Sequence, residues 1–533
     1  MVCLQWFVLM ESTVNYFKYM NANFCDVKLA KASSARMSSN KCTREAFLCI
    51  VVYFLLVGSL QVAEQAPEDA WVESFPGYIG SQPYSIYTGY ITVSEAHGRA
   101  LFYYFVESEN NPSKDPVLLW LTGGPGCSSF TGFVYEIGPM YFDLNYTGGL
   151  PKLIDNPHSW TKVCNIIFLD SPAGTGFSYS NTTADYVYGE FKIVSDAYAF
   201  LIKWFEAYPE FLSNPLYIGG DSYSGLIVPM LTQKIADGIE AGAKPLLNIK
   251  GYLVGNGETD YFFDNAQVPF GHGMALISDE IYETTKQACN GNYTSTNPSC
   301  QSKVESIYEQ FFSHLNKASI LDPSCYPITM KQEKVSGQKE PGKGHEKLEV
   351  LDQLNEARRK VWSTRFTVHD GFHRIPLHFG YEDKPCPSLD KYNLSDIWAK
   401  SPFVRKTIHA LPENITGVWK RCTPRFKYKR DVTSVIIYHK NLTKRGYRAL
   451  IYSGDHDLVI PYVGTEAWVR SLGYSIVEEW RSWFVDGQVA GYTRAYNHNL
   501  TFATVKGAGH TAPEYKPREA FSMFISWIFG KPF

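Results

Sequence analysis

The chain lacks the compositional marks of several function classes. Its 50 basic and 53 acidic residues leave a net charge of −3 over 533 residues. Neither a nucleic-acid surface nor a strongly anionic field is therefore expected. None of the 11 cysteines forms a C-x-x-C pair, which argues against zinc-ribbon and thioredoxin-type motifs. His369, His373 and His378 lie close together, but Pro376 interrupts them and no acidic pair frames them. Surface or cap histidines are the expected reading, with no metal site, and no cofactor is implied. No internal repeat is evident. The apolar run 46–57 is 12 residues long, too short for a comfortable membrane span, and no other run reaches spanning length. A soluble mature protein without a stable span is expected.

What is present points to a large globular protein. Hydrophobic residues make up 45%, aromatic 15% and charged 19%, a composition that supports a sizeable core. The length suits one large α/β domain with a substantial insertion. The 36 Tyr, 33 Phe and 12 Trp fit an aromatic core or a cleft that stacks aromatic or sugar substrates, and composition does not separate the two.

The N-terminus reads as secretory. Lys41 and Arg44 precede the 46–57 run, and Gly58, Ser59 and Ala63 suit cleavage near 59–63. Residues 37–63 are read as the signal peptide and 1–36 as an unusual extension, with Met37 an alternative start and a signal anchor the competing reading. Sequons at Asn145, Asn181, Asn292, Asn393, Asn414, Asn441 and Asn499 agree with passage through the secretory pathway to the vacuole or the outside. Beyond Cys3, Cys25, Cys42 and Cys49, seven cysteines remain, so one thiol is left over. Cys164 leads the apolar stretch 164–169 and is the candidate for a buried free thiol.

Short apolar runs at 117–121, 166–170, 216–219, 247–254, 449–453 and 501–505 read as buried parallel strands. Val194, Ala197, Leu201 and Phe205 recur at helical spacing, as do Phe521, Phe524, Ile525 and Ile528. Alternating strands and helices predict an open α/β sheet, mostly parallel and flanked by helices. The pattern breaks between 254 and 449. Residues 64–255 and 431–533 are read as two parts of one core, and 256–430 as an inserted cap. Within it, 331–350 interleaves lysines and glutamates; a mobile linker and a site for proteolytic nicking are expected there.

The chemistry centres on Gly220-Asp221-Ser222-Tyr223-Ser224-Gly225, between the apolar run 215–219 and the amphipathic run 226–231. Strand, sharp turn and helix is the setting of a nucleophile elbow, although Ser224 stands where G-x-S-x-G has its second glycine. An acyl-transfer serine needs a base, an orienter and an oxyanion hole. Strand 449–453 ends in Gly454-Asp455-His456-Asp457, and strand 501–505 leads to Gly507-Ala508-Gly509-His510. The order serine, acid, histidine is that of an α/β-hydrolase sheet. Tyr223 follows the serine, and the glycine-rich loop 120–129 supplies a second backbone donor. That loop is not a phosphate loop, because no Gly-Lys-Ser/Thr follows.

Together with Glu136-Ile137-Gly138-Pro139, 156–160 and 169–179, these motifs resemble the serine carboxypeptidases, an α/β-hydrolase family. The resemblance runs from about Phe75 to the C-terminus. It implies nucleophile Ser222, base His510, orienting acid Asp457 (with Asp455 the alternative) and oxyanion donors Gly124 and Tyr223. It also implies disulfides Cys127–Cys422, Cys289–Cys300 and Cys325–Cys386. Thr122, Glu136 and Asp221 correspond to a network that grips a peptide's C-terminal carboxylate, but peptidases usually carry Asn at the first position and Glu at the third. Thr122 and Gly-Asp-Ser-Tyr-Ser-Gly, with 467–472 and 508–517, are similar to the plant acyltransferases of this family. Transfer from a 1-O-glucose ester to an alcohol acceptor is therefore the leading expectation. Serine-type carboxypeptidase activity on a peptide C-terminus is the alternative, and a silent secreted binding protein a third reading.

Overall fold

The computed structural model describes residues 70–80, 82–324, 387–423 and 425–533. Ten strands build the central sheet: β1 Ile86–Ser94, β2 Arg99–Val106, β3 Val117–Leu121, β4 Asn165–Leu169, β5 Leu216–Asp221, β6 Ile249–Gly255, β7 Arg448–Gly454, β8 Ile476–Val485, β9 Gln488–Tyr496 and β10 Leu500–Val505. Their spatial order is β1-β2-β4-β3-β5-β6-β7-β10-β9-β8, with the two-residue strand Tyr179–Ser180 paired to β2. The six central strands, β4 to β10 in that order, are parallel. These are the six runs read from sequence, moved by a residue or two. The edges are antiparallel hairpins, β1–β2 and β8–β9, with β2 and β9 antiparallel to the core strands beside them. The sheet is thus an α/β-hydrolase sheet whose parallel centre was legible and whose antiparallel margins were not.

Both faces are covered, which is why the central strands are apolar without alternation. On one face Leu119, Leu121, Ile218, Val254 and Ile451 meet α1 Glu190–Ala207 and α2 Ser224–Glu240 through Trp204, Phe205, Leu226 and Ile235. On the other, Leu118, Trp120, Tyr217, Leu253 and Leu450 meet Met523, Phe524 and Trp527 near the C-terminus. That last helix turns Ala520, Met523, Phe524, Trp527 and Ile528 inward. Phe521 and Ile525, expected in the core, are only half-buried.

Between the two parts of the sheet, α3 Asp279–Cys289 and α4 Pro298–Ile307 are clipped by Cys289–Cys300 over a small cluster of Val268, Phe270, Val304, Ile307, Phe312 and Leu458. The inserted stretch also contributes to the core. Its helix α5, Pro387–Lys400, sends Leu394 and Trp398 into the same cluster as Trp120 and Phe524. The 331–350 segment, Cys325, Cys386, the three grouped histidines and the proposed signal region lie outside the described residues. No helix among the described residues is long and apolar enough to cross a membrane.

Candidate active site

Strand β5 ends at Asp221 and α2 begins at Ser224, so the chain reverses direction within two residues. Ser222 stands at the tip with φ 56°, in the left-handed region where a residue with a Cβ is uncommon. Three backbone bonds hold it there. Its N–H donates to Gly255 O at 3.1 Å, and its carbonyl accepts from Gly225 N and Glu258 N, both at 2.9 Å. The departure from G-x-S-x-G has a spatial reason. A Cβ on Gly225 would collide with the backbone of Glu258 and Gly257, so the close approach falls one residue later than in the usual motif.

Ser222 Oγ lies 2.8 Å from His510 Nε2, and His510 Nδ1 lies 2.7 Å from Asp457 Oδ2. Each comes from the C-terminal end of a different parallel strand, β5, β7 and β10. Asp457 is fully buried and saturated. Its Oδ2 also accepts Asn256 Nδ2 at 2.9 Å and Ile460 N at 3.2 Å, and its Oδ1 accepts Val459 N at 2.7 Å. A carboxylate fixed in this way holds the imidazole with Nδ1–H toward itself and the Nε2 lone pair toward Ser222. Asp455, the other acid in the motif, turns to His456 Nδ1 and Gly507 N, both at 2.6 Å. Burial pushes the His510 pKa down. The charge and hydrogen bond of Asp457, with the charges of Asp221 and Glu258, outweigh it and leave the imidazole raised above its ordinary value.

Sequence reasoning missed Asn256. It follows β6 and donates to Asp457 while its Oδ1 accepts Gly454 N at 2.9 Å, tying the β6 and β7 ends together. The available signal was an asparagine between two glycines at a strand end. Also missed was the grip of the insertion on this site: Lys317 O accepts Leu458 N at 2.9 Å, Ala318 O accepts His510 N at 2.6 Å and His456 O accepts Ile320 N at 3.1 Å.

The glycine-rich loop packs against the serine turn. A Cβ on Gly123 would lie 2.5 Å from Ser222 Cβ and 2.9 Å from Tyr223 N. Among the described residues the N–H groups of Gly124 and Tyr223 have no acceptor, which leaves both available to a reacting oxygen. Two devices fix the loop. Buried Asp170 accepts Ser128 Oγ at 2.6 Å, Ser129 N at 3.0 Å and Phe177 N at 3.0 Å, and Cys127 is bonded to Cys422. The Tyr223 ring is anchored away from the turn, its hydroxyl 3.3 Å from Glu190 Oε1 and its ring edge-on to Tyr428.

Beside the serine lies a buried acidic pair. Asp221 and Glu136 are both almost solvent-free. Burial pushes Asp221 up to about 6, against the opposing effect of His510 and the Gly123 N–H. Burial, and then the charge of Asp221, push Glu136 well above the usual carboxylate range. With burial raising both carboxyls, they retain a proton under mildly acidic conditions. Thr122 Oγ1 and both Glu136 oxygens have no hydrogen-bond partner among the described residues. Glu514, four residues after His510, is the opposite case. Burial alone would raise it, but Lys391 at 2.7 Å, Thr511 and Tyr392 hold it below its ordinary value.

Two of the three implied disulfides are present, and Cys164 is free and buried. Its Sγ donates to Pro116 O at 3.2 Å. Six sequon asparagines are exposed, and Asn292 is half-buried.

Comparison with known proteins places these motifs in one context. The family profile described as serine carboxypeptidase matches residues 76–530. Serine carboxypeptidase 1 of Hordeum vulgare is 48% identical over 476 residues, covering 87% of this chain and 93% of the relative. Serine carboxypeptidase-like 20 of Arabidopsis thaliana is 46% identical over 477 residues, covering 88% and 95%. The crystal structure of Kex1(delta)p, a prohormone-processing carboxypeptidase from Saccharomyces cerevisiae, superposes with a TM-score of 0.63 at 18% identity, covering 88% of this chain and 96% of that one; it bears on the fold alone.

Proposed function

The chain belongs to the serine carboxypeptidase family and is an enzyme, and from that premise we propose that it forms an acyl-enzyme on Ser222 and releases C-terminal residues from peptides. Ser222 Oγ attacks the scissile carbonyl as its proton passes to His510 Nε2. Asp457 stabilises the imidazolium, and Gly124 N–H and Tyr223 N–H receive the oxyanion. His510 then returns the proton to the leaving amine. Water attacks the ester by the reverse sequence and frees Ser222.

The observation that carries the peptidase reading is the buried Asp221–Glu136 pair. A carboxyl that keeps its proton donates a hydrogen bond to a substrate carboxylate, which an ionised one repels. On sequence, Thr122, the shorter Asp221 and the motifs similar to the plant acyltransferases put acyl transfer first. In the fold Asp221 is buried and its charge acts on Glu136, an arrangement that supports a carboxylate grip. The name of the barley relative points the same way. Transfer from a 1-O-glucose ester to an alcohol remains the second reading. It is favoured by Thr122, whose unpartnered hydroxyl lacks the amide donor expected in a carboxylate grip. The protein is proposed to mature in the secretory pathway, a reading supported by its disulfides and exposed sequons.

The test offers the protein an N-blocked dipeptide in one reaction and a phenolic or fatty acyl-glucose with alcohol acceptors in another. Release of a free C-terminal amino acid without ester product supports the peptidase. A new ester with little peptide cleavage establishes the transferase. The acidic pair also sets a pH signature. The KM for a peptide with a free C-terminal carboxylate is expected to rise as pH climbs above about 6, where Asp221 loses its proton. The C-terminal amide of the same peptide should show no such rise. Parallel KM profiles for the two would separate the pair from carboxylate binding.

A further inference from the structure

One row of side chains crosses the sheet just behind the serine. Leu121 of β3 is level with Gly220 of β5, which puts Thr122 beside Asp221. Asp221 is level with Gly255 of β6, and Gly255 with Tyr452 of β7. Because strand side chains alternate, Thr122, Asp221 and Tyr452 leave the same face of the sheet. The intervening position is a glycine, and Tyr452 uses the gap: a Cβ on Gly255 would run into the Tyr452 hydroxyl and ring. The phenol therefore lies over Gly255, pointed along the row toward Asp221.

Tyr452 is 1% exposed, and its hydroxyl has no hydrogen-bond partner among the described residues. Neither has Trp120 Nε1, which borders the helical turn Gly132–Glu136 through Gly132, nor either oxygen of Glu136 on that turn. Donors without acceptors thus share a buried region with acceptors without donors, an arrangement native interiors avoid unless it serves binding or catalysis. Tyr452 interacts electrostatically with both Asp221 and Glu136. The other charged groups facing the pair are His510 and Glu514 toward Asp221, and Glu514, Arg421 and Lys391 toward Glu136.

We propose that Tyr452 is a positioning residue of the substrate site: its O–H, unpaired among the described residues, reaches across Gly255 and donates to Asp221 when that carboxyl ionises. It acts through the pair and not on the substrate. The idea rests on the acyl-enzyme reading above. A donor to the ionised form favours that form, so its removal should make the pair hold its proton to higher pH.

The test compares wild type and Tyr452→Phe in KM and kcat across pH, with fluorophosphonate labelling of Ser222 as a separate readout. In Tyr452→Phe the alkaline rise of KM should move up by about one pH unit. The acid limb of kcat, set by His510, should stay in place. In an Asp221→Asn background the same substitution should produce no shift, because the carboxyl that receives the O–H is gone. A KM profile in Tyr452→Phe that superimposes on wild type overturns the proposal, as does an equal shift in the Asp221→Asn background. Failure of the underlying acyl-enzyme reading would look different: wild type itself would not label at Ser222. If Tyr452→Phe does not fold, Tyr452→Trp and Gly255→Ala disturb the same contact and are read by the same KM profile.

Discussion

Replacing Ser222 by alanine is expected to lower kcat about a million-fold and to abolish fluorophosphonate labelling. The loss should be this large because serine, imidazole and carboxylate act as a unit. Without Oγ, His510 Nε2 has no proton to take, although its bond to Asp457 persists. The remaining rate would come from the free N–H groups of Gly124 and Tyr223, which need no side chain on residue 222. The left-handed backbone at Ser222 is unchanged by alanine, and its three backbone bonds do not involve the hydroxyl. Thermal stability should therefore stay near wild type while activity disappears. Retained turnover would remove Ser222 from the role of nucleophile.

Asp457→Asn is expected to cost up to about ten-thousand-fold in kcat, less if the productive tautomer is kept. The geometry says how. Four donors converge on the two oxygens of Asp457: His510 Nδ1, Asn256 Nδ2 and Ile460 N on one, Val459 N on the other. Asparagine offers a single acceptor, so its amide nitrogen must face an N–H on one side. Three donors outweigh one, and the carbonyl should stay toward His510. The productive tautomer is then kept, and the loss comes from the missing negative charge that stabilises the imidazolium. That charge is also what raises His510 against its burial. The acid limb of kcat/KM in the residual activity should accordingly move to lower pH. A limb that stays in place would mean that another group, such as Asp221 or Glu258, sets the His510 titration.

The centre of the fold was legible for a simple reason. Strands buried on both faces must be apolar throughout, and each of the six parallel strands is a short apolar run ended by glycine or a polar turn. The edge hairpins were harder. Strand β2 is buried at all eight positions, whereas β8 exposes Ile476 to Trp480 without a break; neither alternates. The one clear local mark is Asp486-Gly487, both at positive φ, a hairpin turn. The C-terminal helix was placed correctly, but its buried face is rotated toward Met523 and Trp527, because the apolar period fits either face and Trp160, stacked on Phe524, selects one.

The order of strand, serine, acid and histidine, the glycine-rich loop and the left-over thiol were legible along the chain, because each is a local pattern with a local physical cause. Tertiary structure decided what depends on neighbours distant in the chain. It turned Asp457 and not Asp455 toward His510, brought Asn256 to the acid, and buried Asp221 and Glu136, which raises both carboxyls. It also laid Tyr452 across Gly255. The register between parallel strands sets each of these relations, and register follows from how the whole sheet packs, not from any one segment.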